Sequence, residues 1–257
     1  AQDPMMQVMT RFVDDLAQGD AKMKEAIAPS KPRQIAMVAY PGMFPLDLLG
    51  PLTVFSDMLN TQAADVFSTI NLLQDINAKD YTPANGAAYP DGEYGLALKQ
   101  VAQLIKADVG LEVACVDIGG WDTHESQGGA EGELATNLSD LAKGLAAFYA
   151  DLQDYMGNVT VTAMSEFGRR ATENASGGTD HGHGSMMMVL GGNVDGGKVH
   201  GQWPGLEEGQ LIGPGDLAVT TDYRDVLSEV LSKRLNNPAT SDVFPEYQPV
   251  MRNILLT

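Results

Sequence analysis

The sequence predicts an α/β fold, a three-layer sandwich in which helices cover a mostly parallel sheet. Three observations carry this. Short apolar, β-branched runs recur along the chain, amphipathic segments at helical spacing separate them, and no internal repeat or low-complexity tract interrupts the alternation. At 257 residues the chain suits one large α/β domain, or one domain with an appended segment.

Asp3 and Pro4, followed by Met5, Val8, Met9, Phe12 and Leu16, mark an amphipathic first helix with Asp3 as its cap. Residues 34–40 read as a strand, and residues 41–55 as turns leading into a helix. From about residue 80 the chain changes character, so residues 1–79 and 80–257 are expected to form two parts. A helix with Leu98, Val101, Ala102 and Ile105 facing inward ends before Gly110. Residues 111–116 form a strand pattern around Cys115, the only cysteine, which is expected to be a buried structural thiol. Leu134, Leu138, Leu141, Leu145, Phe148 and Leu152 recur at steps of three and four, the core stripe of a long helix. Residues 159–164 read as a buried strand and residues 186–190 as another, three consecutive methionines being buried strand rather than ligands. A last helix starts near Thr221, turns Val226, Leu227, Val230, Leu231 and Leu235 inward, and is stopped by Pro238.

The formal charge of −18, from 16 basic and 34 acidic residues, would repel nucleic acid and anionic membranes, and neither is expected as a partner. No apolar run approaches the roughly 18 residues that span a bilayer. No leader is visible, and the compartment stays open between exported and cytoplasmic. An anionic substrate would have to be attracted locally, by a metal and by arginine.

The four histidines, His124, His181, His183 and His200, all lie in the second half, in glycine-rich stretches that also contain acids. Asp180, His181 and His183 crowd into four residues, with Gly182 and Gly184 letting the backbone turn. This cluster follows the strand at 159–164, and Glu166, Arg169 and Arg170 stand at that strand's carboxyl end, where open α/β sheets place ligands. Asp117, Asp122 and His124 follow the strand at 111–116. Two strands thus deliver carboxylates and imidazoles to what is expected to be one sheet edge. Such a mixed nitrogen and oxygen set suits one or two divalent ions, zinc first and manganese or iron next.

Two resemblances extend this reading. Gly119-Gly120-Trp121-Asp122-Thr123-His124, Ser165-Glu166-Phe167-Gly168-Arg169, Gly178-Thr179-Asp180-His181-Gly182 and Trp203-Pro204-Gly205-Leu206 occur in order. With them, residues 80–250 resemble the carboxyl-terminal half of a sulfatase-like family in the alkaline phosphatase superfamily. That resemblance implies a truncated alkaline-phosphatase-like core acting on phosphate or sulfate esters. It also implies a second copy covering the half-sheet, hence a homodimer. The superfamily's early nucleophile has no counterpart before residue 80. Residues 34–60 resemble the opening strand and helix of PfpI-like proteins, whose nucleophilic cysteine is also missing; that stretch is read as an edge strand or oligomer contact.

The expected activity is therefore metal-dependent hydrolysis of small phosphate, phosphonate or sulfate esters, phosphotriesters included, by a metal-activated water. Asp122, His124, Glu166, Asp180, His181 and His183 are the expected metal ligands. Arg169 is expected to stabilise developing charge, with Asp117 and His200 orienting groups or moving protons. The competing expectation is a non-catalytic binding or assembly module whose metal only pins the loop. PfpI-like hydratase chemistry stands third, since it needs a reactive thiol.

Overall fold

In the computed structural model the described residues are the backbone of Ile35–Ala39, then Ile76, then residues 81–256. The expected first helix at residues 5–16 and the turns and helix at 41–55 lie outside them. Contacts group residues 33–44 and 81–257 into one compact unit, which holds the site; of the other unit, residues 1–32 and 45–80, only Ile76 is described.

Four strands form the main sheet. They are β1 (Ile35–Ala39), β2 (Val113–Cys115), β3 (Val159–Ala163) and, at the carboxyl side, Met188–Gly191. Between β3 and that last strand two short segments, β4 (Gly168–Arg169) and β5 (His181–Gly182), pair with each other, so the last strand is β6. The spatial order is β2-β1-β3-β6, with β1 parallel to both β2 and β3, and β3 antiparallel to β6.

The expected three-layer sandwich on a mostly parallel sheet, and with it the truncated alkaline-phosphatase-like core, is not what the described residues build. Their sheet is small and mixed, its strands three to five residues long. The reason lies between β3 and β6. A parallel return needs a crossover, usually a helix, and here residues 164–187 hold only the β4–β5 pair, so β6 comes back antiparallel. β1 also departs from expectation, since it lies inside the sheet between β2 and β3 rather than at an edge.

The core forms where the sequence pattern places it. Helix α1 (Glu93–Lys106) buries Leu98, Val101, Ala102 and Ile105. Its Glu93 and Lys106 sit at the ends where the helix dipole favours each charge. Helix α2 (Glu133–Asp151) brings Phe148, and Leu152 just beyond it, into the same cluster with Val116, Met156, Val159 and Val161. Leu138 is the exception on the α2 stripe and is exposed. β3 is buried throughout, and its alternation sends Val159 and Val161 to this cluster and Thr160 and Thr162 to the other face. Burying four such large side chains as Leu98, Phe148, Leu152 and Val159 contributes on the order of 6–12 kcal/mol before entropy is charged.

Two buried carboxylate centres tie the ends of elements together. Asp151, the last residue of α2, accepts hydrogen bonds from Tyr81 Oη (2.6 Å), Tyr89 Oη (2.7 Å), the Ala84 amide (2.6 Å) and Lys106 Nζ. Helix α3 (Tyr223–Arg234) begins at Asp222, whose side chain accepts from the Arg224 amide. It then turns Asp225 and Glu229 inward to grip the chain's last segment, and a one-turn helix, α4 (Thr240–Val243), lies between. Among the described residues no helix is long and apolar enough to cross a membrane.

Candidate metal centre

β2 and β3 run parallel on either side of β1, so the loops that follow them leave the same sheet edge. The first loop carries Asp122 and His124. The second is folded back by the β4–β5 pairing, in which Arg169 stands opposite His181. The two loops are then laced together. Thr179 N donates to Thr123 O (3.2 Å), Ser126 N to Ser176 O (3.0 Å) and Gln127 N to Gly177 O (2.9 Å). Gln127 Oε1 accepts from both hydroxyls that flank the site, Thr123 Oγ1 at 2.9 Å and Thr179 Oγ1 at 2.8 Å.

Two glycines make this closeness possible. A Cβ on Gly178 would lie 2.3 Å from the His124 carbonyl and 2.4 Å from Thr123 O, and one on Gly168 would lie 1.7 Å from Gly184 O. Neither backbone obstacle can swing aside, so a larger residue at 178 would push the two loops apart, and one at 168 would open the fold of the second loop.

Asp122 Oδ1 lies 2.8 Å from His181 Nε2 and 3.0 Å from His124 Nε2, and the two Nε2 atoms are 3.0 Å apart. These three side chains converge from two loops with the site open to solvent, Asp122 being 69% exposed, His181 47% and His124 40%. Arg169 Nη2 donates to Asp122 Oδ1 (2.8 Å) and to Trp121 O (2.6 Å), while its Nη1 donates to Thr179 O (2.6 Å). The hydrogen bond from His181, together with the Arg169 contact, outweighs the small cost of desolvation and holds the Asp122 carboxyl below the usual range.

Asp180 stands behind this triangle. Its Oδ1 faces His124 Nδ1 at 3.3 Å and accepts from Asn174 Nδ2 at 3.0 Å. Asn174 also donates to His124 O (2.9 Å), which fixes the ligand's backbone as well. The Asn174 and His124 bonds, with Arg170 nearby, hold the Asp180 carboxyl low despite some desolvation. Phe167 lies against the His181 ring, centroids 3.9 Å apart, and limits its rotation.

The donor set fits a cation on its chemistry. Asp122 offers a carboxylate oxygen and His124 and His181 each an imidazole nitrogen, the mixed oxygen and nitrogen set that suits a divalent ion.

The other candidate residues stand apart from the triangle. His183, although two residues from His181, donates through Nδ1 to the buried Asp216 (2.6 Å). Arg170 is ion-paired with Asp180 (3.4 Å) and Asp216 (3.6 Å). Glu166 and Asp117 are exposed and outside the triangle, and His200 Nε2 donates to Asp195 O (2.9 Å). Cys115 is exposed rather than buried, on the outermost strand of the sheet that the described residues form. Partial burial of its sulfur and the Asp117 charge push the thiol up, away from the reactive thiolate that hydratase chemistry needs. Gln127, Asn174 and Asp216 were not singled out in the sequence; a polar residue three to six positions from a ligand was the only signal for the first two.

No curated protein and no solved structure matches the chain. A family model described as "Protein of unknown function (DUF1501)" matches residues 71–235. All four sequence blocks that suggested a sulfatase-like member of the alkaline phosphatase superfamily fall inside that match, and neither that family nor a PfpI-like one is found, so both resemblances are corrected. The match spans well over half the chain, and the protein belongs to the DUF1501 family.

Proposed function

We propose that this protein is a metal-dependent hydrolase of phosphate, phosphonate or sulfate esters, with Asp122, His124 and His181 holding a divalent ion. The observation that supports this most is the convergence of their three donor atoms on a solvent-open face. A purely structural ion is commonly closed in by four ligands, whereas three ligands and an open side are the pattern of catalytic centres. When bound, the ion supplies a water of lowered pKa and a Lewis-acid contact for an ester oxygen.

The chain's own residues do the rest. Asp180 orients His124 by accepting from Nδ1, and Asn174 fixes Asp180. Arg169, anchored on two carbonyls, steadies Asp122 and keeps a positive charge beside the centre, where it favours an anionic ester against the protein's net charge.

The test is metal analysis of the purified protein, followed by assay of aryl phosphate mono-, di- and triesters, phosphonates and sulfates. One divalent ion per chain and ester cleavage that stops on chelation and returns with metal are expected. A folded protein that takes up no divalent ion would overturn the reading.

Gln127 gives a smaller, separate prediction. Because its one oxygen braces both loops, Gln127→Ala should weaken ion binding about tenfold with little change in helical circular dichroism. Chelator competition measures this, and an unchanged affinity would show that the backbone lacing alone sets the loop register.

A further inference from the structure

His183 stands beside the metal centre without belonging to it. It follows His181 by two residues, so their Cα atoms are at most about 7 Å apart. Its side chain is 70% exposed, yet its Nδ1 is held at 2.6 Å by the buried carboxylate of Asp216. Asp216 Oδ1 and Arg170 Nε, 3.6 Å away, are both buried without a hydrogen bond among the described residues. The bond from His183 is thus the one this carboxylate makes there.

The turn that carries Asp216 is fastened on both sides. Asp216 N donates to Ile212 O (2.8 Å), Ala171 N to Gly215 O (3.1 Å) and Gly184 N to Leu217 O (3.0 Å). Arg170 pairs with Asp180 as well as Asp216, so one guanidinium joins the carboxylates behind His124 and His183. A rigidly placed carboxylate therefore holds one nitrogen of an exposed ring, and Nε2 has no partner among the described residues. An imidazole oriented in this way suits covalent catalysis. The two threonine hydroxyls that flank the site do not, because Thr123 and Thr179 both donate to Gln127 Oε1, an amide oxygen and no base.

Resting on the metal-hydrolase reading, we infer that His183 is the nucleophile of that hydrolysis and that phosphate esters are cleaved through a phosphohistidine. Nε2 attacks phosphorus, the N–P bond forms, and the P–O bond to the leaving group breaks with its electron pair on that oxygen. The ring becomes cationic, and Asp216 meets that charge through Nδ1–H. Water then attacks phosphorus, the P–N bond breaks, and its electron pair returns to Nε2. The proton shed by this water balances the one the leaving oxygen takes from solvent, so ester and water give phosphate and alcohol.

Two measurements on the intact chain test this. His183→Ala, shown to be folded by circular dichroism and to bind manganese as wild type does, should cleave an aryl phosphate slower by a factor on the order of 10³ or more. Added imidazole should restore part of that rate and become phosphorylated itself. With wild type, an aryl phosphorothioate made chiral by heavy oxygen isotopes should give its product with retention at phosphorus, as two successive displacements require. Inversion would show that water attacks directly and would overturn the nucleophile, as would a folded His183→Ala protein that cleaves at the wild-type rate. Manganese-loaded wild type that leaves every ester uncut would instead overturn the hydrolase reading, and the nucleophile with it.

Discussion

Alanine at His124 or at His181 is expected to remove divalent-ion binding and ester cleavage together, with the fold retained. Each substitution takes one of the three donors that converge among the described residues, and two ligands on open loops leave an ion mostly to water. The loss should exceed the roughly 10- to 100-fold that follows from removing a partner of a ligand. Neither side chain is buried, so neither leaves a cavity. The informative comparison is graded. Asp180→Asn keeps the shape but weakens the acceptor on His124 Nδ1, and should fall within that 10- to 100-fold range. His183→Ala and Glu166→Ala should bind the ion nearly as wild type does, because neither reaches the triangle. Isothermal titration with manganese or cobalt across the five variants measures the order. If His183→Ala matched His181→Ala, the ligand set drawn from the fold would be the wrong one.

This comparison also marks how far the sequence could be read. Periodicity located α1, because a stripe such as Leu98, Val101, Ala102 and Ile105 has one physical use. The strand patterns at 111–116 and 159–164 put two acid- and histidine-bearing loops at one sheet edge, since the strands they form both run parallel to β1. Periodicity cannot report which direction a strand takes, and so β6 and the sandwich were misread: direction depends on the connection, and the long connection here holds no helix. Composition cannot separate ligands from their partners either. His181 and His183 look equivalent in the sequence, yet one meets Asp122 and the other meets Asp216, 33 residues further on. On α3 the hydrophobic positions alone concealed that Asp225 and Glu229, one helical turn apart, are among the most buried of the described residues.

Those buried carboxylates lead to the second large expected effect, loss of stability in acid. Burial alone would raise the carboxyls of Asp151, Asp225 and Glu229, but their bonds more than offset it and all three are held below the usual range. For Asp151 the offsetting donors are Lys106, Tyr81, Ala84 and Tyr89. For Asp225 they are the Val250 amide, Tyr247 and Arg252, and for Glu229 the Leu255 amide and Lys233. A carboxyl whose folded-state pKa is depressed contributes stability that is fully present above its unfolded value, about 4, and is lost as pH falls through the folded value. The protein should therefore lose stability progressively below about pH 5. Asp151→Ala strips four donors of their common acceptor, one of them a partly exposed lysine, and should cost about 3 kcal/mol at neutral pH. For a chain of this size that is a fall of about 6–12 °C in Tm. Its pH dependence should also be shallower than that of wild type between about pH 5 and 2, because one of the protons taken up on acid unfolding is gone. Thermal melts of the two proteins at pH 7 and pH 3 separate the effects: curves displaced by the same amount at both values would mean that Asp151 contributes through packing alone, and curves that converge in acid identify its charge as the source.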